Sequence, residues 1–99
     1  MKIAIASEGK NETSEVSPRG ARVPYYLIFE NKKLVKTIKN RFAVRGGGAG
    51  WSVAQMLADE KANLVIAGRI GPNMEIALKE KKLESKETSG KINEINEIN

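Results

Sequence analysis

Arginine and glycine occur together at three places in this chain: "SPRGAR" (Ser17–Arg22), "RGGGAG" (Arg45–Gly50) and "GRIGPN" (Gly68–Asn73). Guanidinium presents forked N–H donors that match anions, and glycine lets backbone N–H groups come close to a ligand, above all at a helix start. The chemistry these residue types offer is anion binding. Arg19, Arg45 and Arg69 each adjoin a glycine and Arg22 lies two residues from Gly20 and Pro24, where loops rather than regular elements are expected.

Other chemistry is tightly restricted. The chain has no cysteine and no histidine, which removes disulfides, thiolate catalysis, the usual soft metal ligands and the commonest general base. An enzyme built from this sequence would have to use carboxylates, lysines, Ser7, Tyr25 or Tyr26. Met56 and Met74 are soft ligands in principle, but their helical spacing places them in a core. The glycine stretch is not a nucleotide loop: "GGGAGW" lacks the following Lys-Ser/Thr of a P-loop and does not fit G-x-G-x-x-G.

The 99 residues suit one domain, residues 1–99. Apolar residues make up 40% and charged residues 29%, as in ordinary globular proteins. No apolar run approaches the ~20 residues of a membrane span, and "MKIAIAS" lacks the long apolar core of a signal peptide, so a cytoplasmic location is expected. The net charge of +5 favours anionic partners. A nucleic acid is disfavoured among them, because aromatics are only 5% and no basic stripe alternates with them.

"KIAIAS" (Lys2–Ser7) reads as a strand and Glu8–Pro24 as a long polar loop. "YYLIFE" (Tyr25–Glu30) and "LVKTIK" (Leu34–Lys39) flank "NKK" and predict a β-hairpin. Val53, Met56 and Leu57 define one face of a helix ending near Lys61, with Trp51 at its start packed on the sheet. "ANLVIAG" predicts a central strand. Pro72 opens a second helix whose face carries Met74, Ala77 and Leu78. "LESKE" suggests a polar edge strand, and "KINEINEIN", with Ile92, Ile95 and Ile98, a short final helix.

Helical crossovers require parallel strands. The simplest arrangement is an α/β three-layer fold with a mixed five-stranded sheet in the order 3-2-1-4-5, strand 2 antiparallel, and helices on both faces. Ligands of such sheets bind beyond the carboxyl ends of the strands. Ser7–Gly9, Ser17–Arg22, Arg45–Gly50 and Gly68–Asn73 should therefore converge at one edge, together with the starts of two helices. The candidate anion-binding residues are Ser7, Arg19, Arg22, Arg45, Gly47, Gly48, Gly50, Arg69, Gly71 and Asn73. A two-metal nuclease does not fit, because strand 1 offers only Ser7 and Glu8 there and strand 4 offers no carboxylate. Nothing pairs Glu8, Glu12 and Glu15 for acid–base work. A binding protein rather than an enzyme is expected.

"GGGAGWSVAQMLADEKANLVIAGRIGPNMEIAL" (Gly46–Leu78) resembles the dinitrogenase iron-molybdenum cofactor biosynthesis family, and "MKIAIASEG" and "SEVSPRGARVPYYLIF" match its opening strand and Ser-Pro-Arg loop. The resemblance implies a ribonuclease H-like fold. It also implies a carrier of a non-covalently bound metal–sulfur cluster, either iron–molybdenum cofactor, its precursor or a related Fe–S or Mo–S cluster. Cluster-assembly or acceptor proteins would be its partners. Where the family has Phe-Gly-Arg after "SPR", this chain has Gly20-Ala21-Arg22. Some carriers in the family ligate cargo through histidine or cysteine, and that mode is excluded here. A cluster with its own sulfides is a polyanion, which a cradle of N–H groups and arginines can hold. The alternative is a protein-interaction or regulatory module on the same scaffold, with Trp51 as an exposed anchor.

Overall fold

In a computed structural model, which describes residues 1–43 and 48–99, five strands form one mixed sheet. They are β1 (Lys2–Ser7), β2 (Tyr25–Glu30), β3 (Lys33–Lys39), β4 (Leu64–Ala67) and β5 (Glu84–Glu87), in the order β3-β2-β1-β4-β5. β2 runs antiparallel to β1 and β3, whereas β1, β4 and β5 are mutually parallel. This is the order expected from the hairpin and crossover rules. β1, β2 and β4 are apolar at successive positions because both their faces are covered. β5, "ESKE", is exposed throughout and charged, which blunts a sheet edge against further pairing.

The two α-helices, α1 (Ala49–Asp59) and α2 (Pro72–Glu80), lie on the same face of the sheet, which corrects the expectation of helices on both. Both connections, β3 to β4 and β4 to β5, travel in one direction along the strand order. A common right-handed crossover therefore puts both helices on one side. The sheet residues beneath them include Ala4, Ala6 and Ala67, and these small side chains let Val53, Leu57, Met74 and Leu78 fill the layer. The opposite face carries larger residues, Ile3, Ile5, Leu27, Phe29, Leu64 and Ile66.

That second face is covered by irregular chain. "KINEINEIN" forms two single 3-10 turns, Ile92–Glu94 and Asn96–Ile98, rather than one helix. A repeat of three matches the 3-10 period, so Ile92, Ile95 and Ile98 all point inward and are buried. The long loop after β1 is stitched to this segment: Val16 N–H donates to Gly90 O, and Ile92 N–H to Ser14 O.

The ends of the elements also have local causes. Asn31 and Lys32, at φ 52° and 68°, make the two-residue turn of the β2–β3 hairpin, where both central residues need positive φ. α1 and α2 each stop in a Schellman arrangement. Ala62 N–H donates to Leu57 O and Lys61 N–H to Ala58 O; Leu83 N–H and Lys82 N–H repeat the pattern onto Leu78 O and Lys79 O. Lysine occupies the left-handed position each time, with φ 63° at both Lys61 and Lys82. Trp51 is 41% exposed rather than packed on the sheet. It lies two residues before Val53, about 200° around the helix from the buried stripe.

Candidate anion-binding site

The "SPRGAR" loop crosses the carboxyl ends of β1 and β4 and is bonded to both. Ser17 N–H donates to Ala6 O at 2.8 Å, Gly68 N–H to Ser17 O at 2.7 Å, and Gly20 N–H to Arg69 O at 3.0 Å. These bonds bring the backbones of the two loops into contact. A Cβ on Gly20 would meet the Met74 sulfur at 3.0 Å and Arg69 O at 3.2 Å, a tight fit that a larger residue would have to relieve by small shifts of these neighbours.

Two buried side chains hold the loop from beneath. The Tyr26 hydroxyl donates to Gly20 O at 2.6 Å. The Asn40 amide nitrogen donates to Ala21 O and Val23 O, each at 2.9 Å, and its oxygen accepts from Phe42 N–H. Burial pushes the Tyr26 phenol far above its ordinary range, so it stays a protonated donor at any physiological pH. The second loop is held from the side, where Ile70 N–H donates to a Glu87 carboxylate oxygen at 2.8 Å.

Between the loops lies an open cavity of about 200 Å³ lined by Pro18, Arg19, Gly20, Ala21, Arg22, Arg69 and Gly71. Arg19 and Arg69 are exposed, and neither is in a salt bridge among the described residues. Gly71 is the N-cap of α2, with extended backbone and no side-chain cap, and a Cβ there would meet nothing within 4 Å. The start of α2 thus opens onto the arginines, bringing the positive end of a helix dipole with it.

The remaining expected residues fall in different places. Ser7 is fully buried; its hydroxyl donates to Gly9 O at 2.6 Å and accepts from Gly9 N–H. It shapes the turn after β1 and does not line the cavity, a correction that follows from its side chain pointing into the local turn. Gly50 serves helix packing, since a Cβ there would lie 3.0 Å from Met74 N and 3.1 Å from Met74 Cβ. That contact sets the start of α1 against the start of α2. Gly48, the N-cap of α1, is exposed at φ 84° with open space around it. Asn73 is exposed in the first turn of α2, one residue beyond Pro72. Arg45 and Gly47 lie outside the described residues. Among those described, no group of His, Cys, Asp or Glu is arranged to hold a metal ion.

Tyr26, Asn40 and Glu87 are parts of this edge that the sequence alone does not point to. Tyr26 reads as an ordinary strand residue and Asn40 as a strand end, and their partners are backbone carbonyls that leave no mark in a sequence.

The loop that crosses β1 and β4, the glycine-opened α1 and the "IGPN" start of α2 form one connected arrangement, and residues 1–97 match the dinitrogenase iron-molybdenum cofactor family over that whole span. The chain belongs to this family. Two solved structures have the same fold. The NMR structure of a candidate NifB protein from Thermotoga is 29% identical, with a TM-score of 0.78 over 94% of this chain and 81% of that one. The apo form of the orange protein from Desulfovibrio gigas is 24% identical, with a TM-score of 0.87 over 93% of this chain and 80% of that one. No curated protein matches the chain. As a member of the iron-molybdenum cofactor family, it is a small cofactor-related α/β domain, and no helix among the described residues is long and apolar enough to cross a membrane.

Proposed function

We propose that this protein is a non-catalytic carrier that holds an anionic metal–sulfur cluster in the cavity between "SPRGAR" and "GRIGPN". The cluster would be iron–molybdenum cofactor, its precursor, or a related Fe–S or Mo–S species. The observation that carries the reading is that Arg19 and Arg69, from loops fifty residues apart, line one cavity with the uncapped start of α2. Arg22 lines the same cavity. Gly48 and Asn73, at the starts of α1 and α2, would complete the rim.

The donor set suits this cargo. With no Cys or His in the chain, the cluster must bring all its own ligands, and the protein contributes charge, N–H groups and shape. Pro18, Gly20 and Ala21 give the cavity an apolar wall. Sulfide-faced polyanions are bulky and weakly hydrated, so they lose less on contact with such a wall than phosphate or sulfate would. We read the sheet as a ribonuclease H-like scaffold that carries no nuclease carboxylates, and the protein as cytoplasmic, passing cargo between cluster-assembly and acceptor proteins.

A second reading, an interaction or regulatory module, draws on Trp51 and Ile76, which are 41% and 50% exposed on α1 and α2. Metal and acid-labile sulfide analysis of the protein purified anaerobically from its native host separates the two. The carrier reading expects molybdenum or iron with stoichiometric sulfide. Metal-free protein that also fails to take up tetrathiomolybdate or a synthetic iron–sulfur cluster would leave the interaction module.

A further inference from the structure

The carbonyl groups of the "SPRGAR" loop are arranged in a way that the fold alone does not require. A wall meant to face a polyanion must not present carbonyl oxygens to it, because each peptide carries a dipole whose negative end is that oxygen. Gly20 and Ala21 both line the cavity. Yet Gly20 O accepts from the Tyr26 hydroxyl, and Ala21 O and Val23 O both accept from the single Asn40 amide nitrogen. Three carbonyls in four residues are therefore drawn into the protein by two side chains, each almost fully buried at 0% and 4% exposure.

We propose that Tyr26 and Asn40 are positioning residues that make this wall anion-selective by holding its carbonyls inward. The proposal rests on the anion-pocket reading above and goes one step further, to the residues that set the pocket's polarity. Neither residue touches the ligand. Dipoles fixed in advance cost nothing to reorganise when the anion arrives. Without the Tyr26 hydroxyl, Gly20 O would be left as a buried acceptor with no partner, and the peptide would relieve this by turning toward solvent, on the cavity side. The tyrosine suits the task because burial keeps its proton in place, so the donor never becomes a phenolate.

The test uses two tetrahedral anions of similar shape and different charge, tetrathiomolybdate (dianion) and tetrathiorhenate (monoanion), titrated anaerobically against wild type, Tyr26→Phe and Asn40→Leu. Tyr26→Phe removes one oxygen and keeps the ring in the core. Asn40→Leu keeps the size and removes the donating nitrogen without adding a charge. An outward carbonyl opposes the dianion by twice the free energy with which it opposes the monoanion. Tyr26→Phe is therefore expected to weaken the dianion by about five- to tenfold and the monoanion by about two- to threefold, the square root of that factor. Asn40→Leu is expected to shift the ratio in the same direction. Equal losses for both anions in both variants would mean simple loosening of the loop and would overturn the positioning role, as would unchanged affinities. If wild type binds neither anion, the pocket reading itself fails, a result distinct from wild-type binding with an unaltered charge preference in the variants. Should Tyr26→Phe fold poorly by circular dichroism, the Asn40→Leu ratio decides alone.

Discussion

Gly68 and Pro18 are in backbone contact so close that a Cβ added to Gly68 would lie 2.6 Å from the Pro18 Cα and 2.9 Å from Ser17 O. No side-chain rotation can relieve that clash, so Gly68→Ala must push the two cavity-forming loops apart. Overpacking of this kind costs about 1–3 kcal/mol, and for a domain of this size each kcal/mol lowers the melting temperature by roughly 4–8 °C. Gly71→Ala is the control, because a Cβ there meets nothing within 4 Å and its backbone is extended. Thermal unfolding should show a clear loss for Gly68→Ala and a change within ~0.5 kcal/mol for Gly71→Ala. Equal effects would show that loop contact is not the reason for glycine at position 68.

The C-terminal 3-10 segment forms one wall of a hydrophobic layer. Ile92 is fully buried among Ile3, Ile5, Leu27, Phe29, Leu64 and Ile66. Ile92→Ala should destabilise the protein by about 2–5 kcal/mol in denaturant melts. A cost below ~1 kcal/mol would mean that this segment does not seal the sheet face.

Both α-helices and the hairpin use lysine where the backbone is left-handed. Lys61 and Lys82 have φ 63°, and Lys32 has φ 68°. Glycine adopts that conformation without the Cβ penalty. Lys61→Gly, Lys82→Gly and Lys32→Gly should each raise stability by about 0.5–1 kcal/mol. Chemical denaturation of the single variants checks the sign, and a loss of stability in all three would contradict it.

One ion pair gives the acid limb of the stability curve a small, assignable component. The Lys86 ammonium donates to the Glu97 carboxylate and holds its pKa below the usual range, aided by a backbone hydrogen bond. A carboxylate whose pKa is lower folded than unfolded adds stability above the unfolded pKa. That contribution is lost as pH falls from about 4.3 through the folded value. Glu97→Gln should therefore flatten the stability difference between pH 6 and pH 3 and leave the basic limb unchanged. A variant as acid-sensitive as wild type would contradict the assignment.

How far the sequence could be read follows from what leaves a local trace. The hairpin was legible because two apolar runs flank "NKK", and the strand order because a helix between strands forces them parallel. The placement of both α-helices on one face was derivable from the same handedness rule, once the direction of travel along the sheet is included. The C-terminal isoleucines recur every three residues, a period that fits 3-10 turns rather than an α-helical edge. The exposure of Trp51 follows from its angle on the helix, two residues before the buried Val53. At the site, "SPRGAR" and "GRIGPN" could be brought together from topology, whereas Ser7 turned inward because a serine after a strand also suits a local turn. Tyr26 and Asn40 could not be found, since their targets are carbonyls common to every residue.

The central claim is that Arg19 and Arg69 form an anion pocket for a sulfide-bearing cluster. Trp51 is the only tryptophan, is partly exposed and sits in the first turn of α1, so its emission reports on this end of the molecule. The decisive measurement is an anaerobic fluorescence titration with tetrathiomolybdate of wild type, Arg19→Gln, Arg69→Gln and the double variant, at two salt concentrations. Saturable binding by wild type is expected, weakened about tenfold by each substitution and further at higher salt, with melting temperatures unchanged. No binding by wild type, or binding that neither arginine affects, would contradict the account.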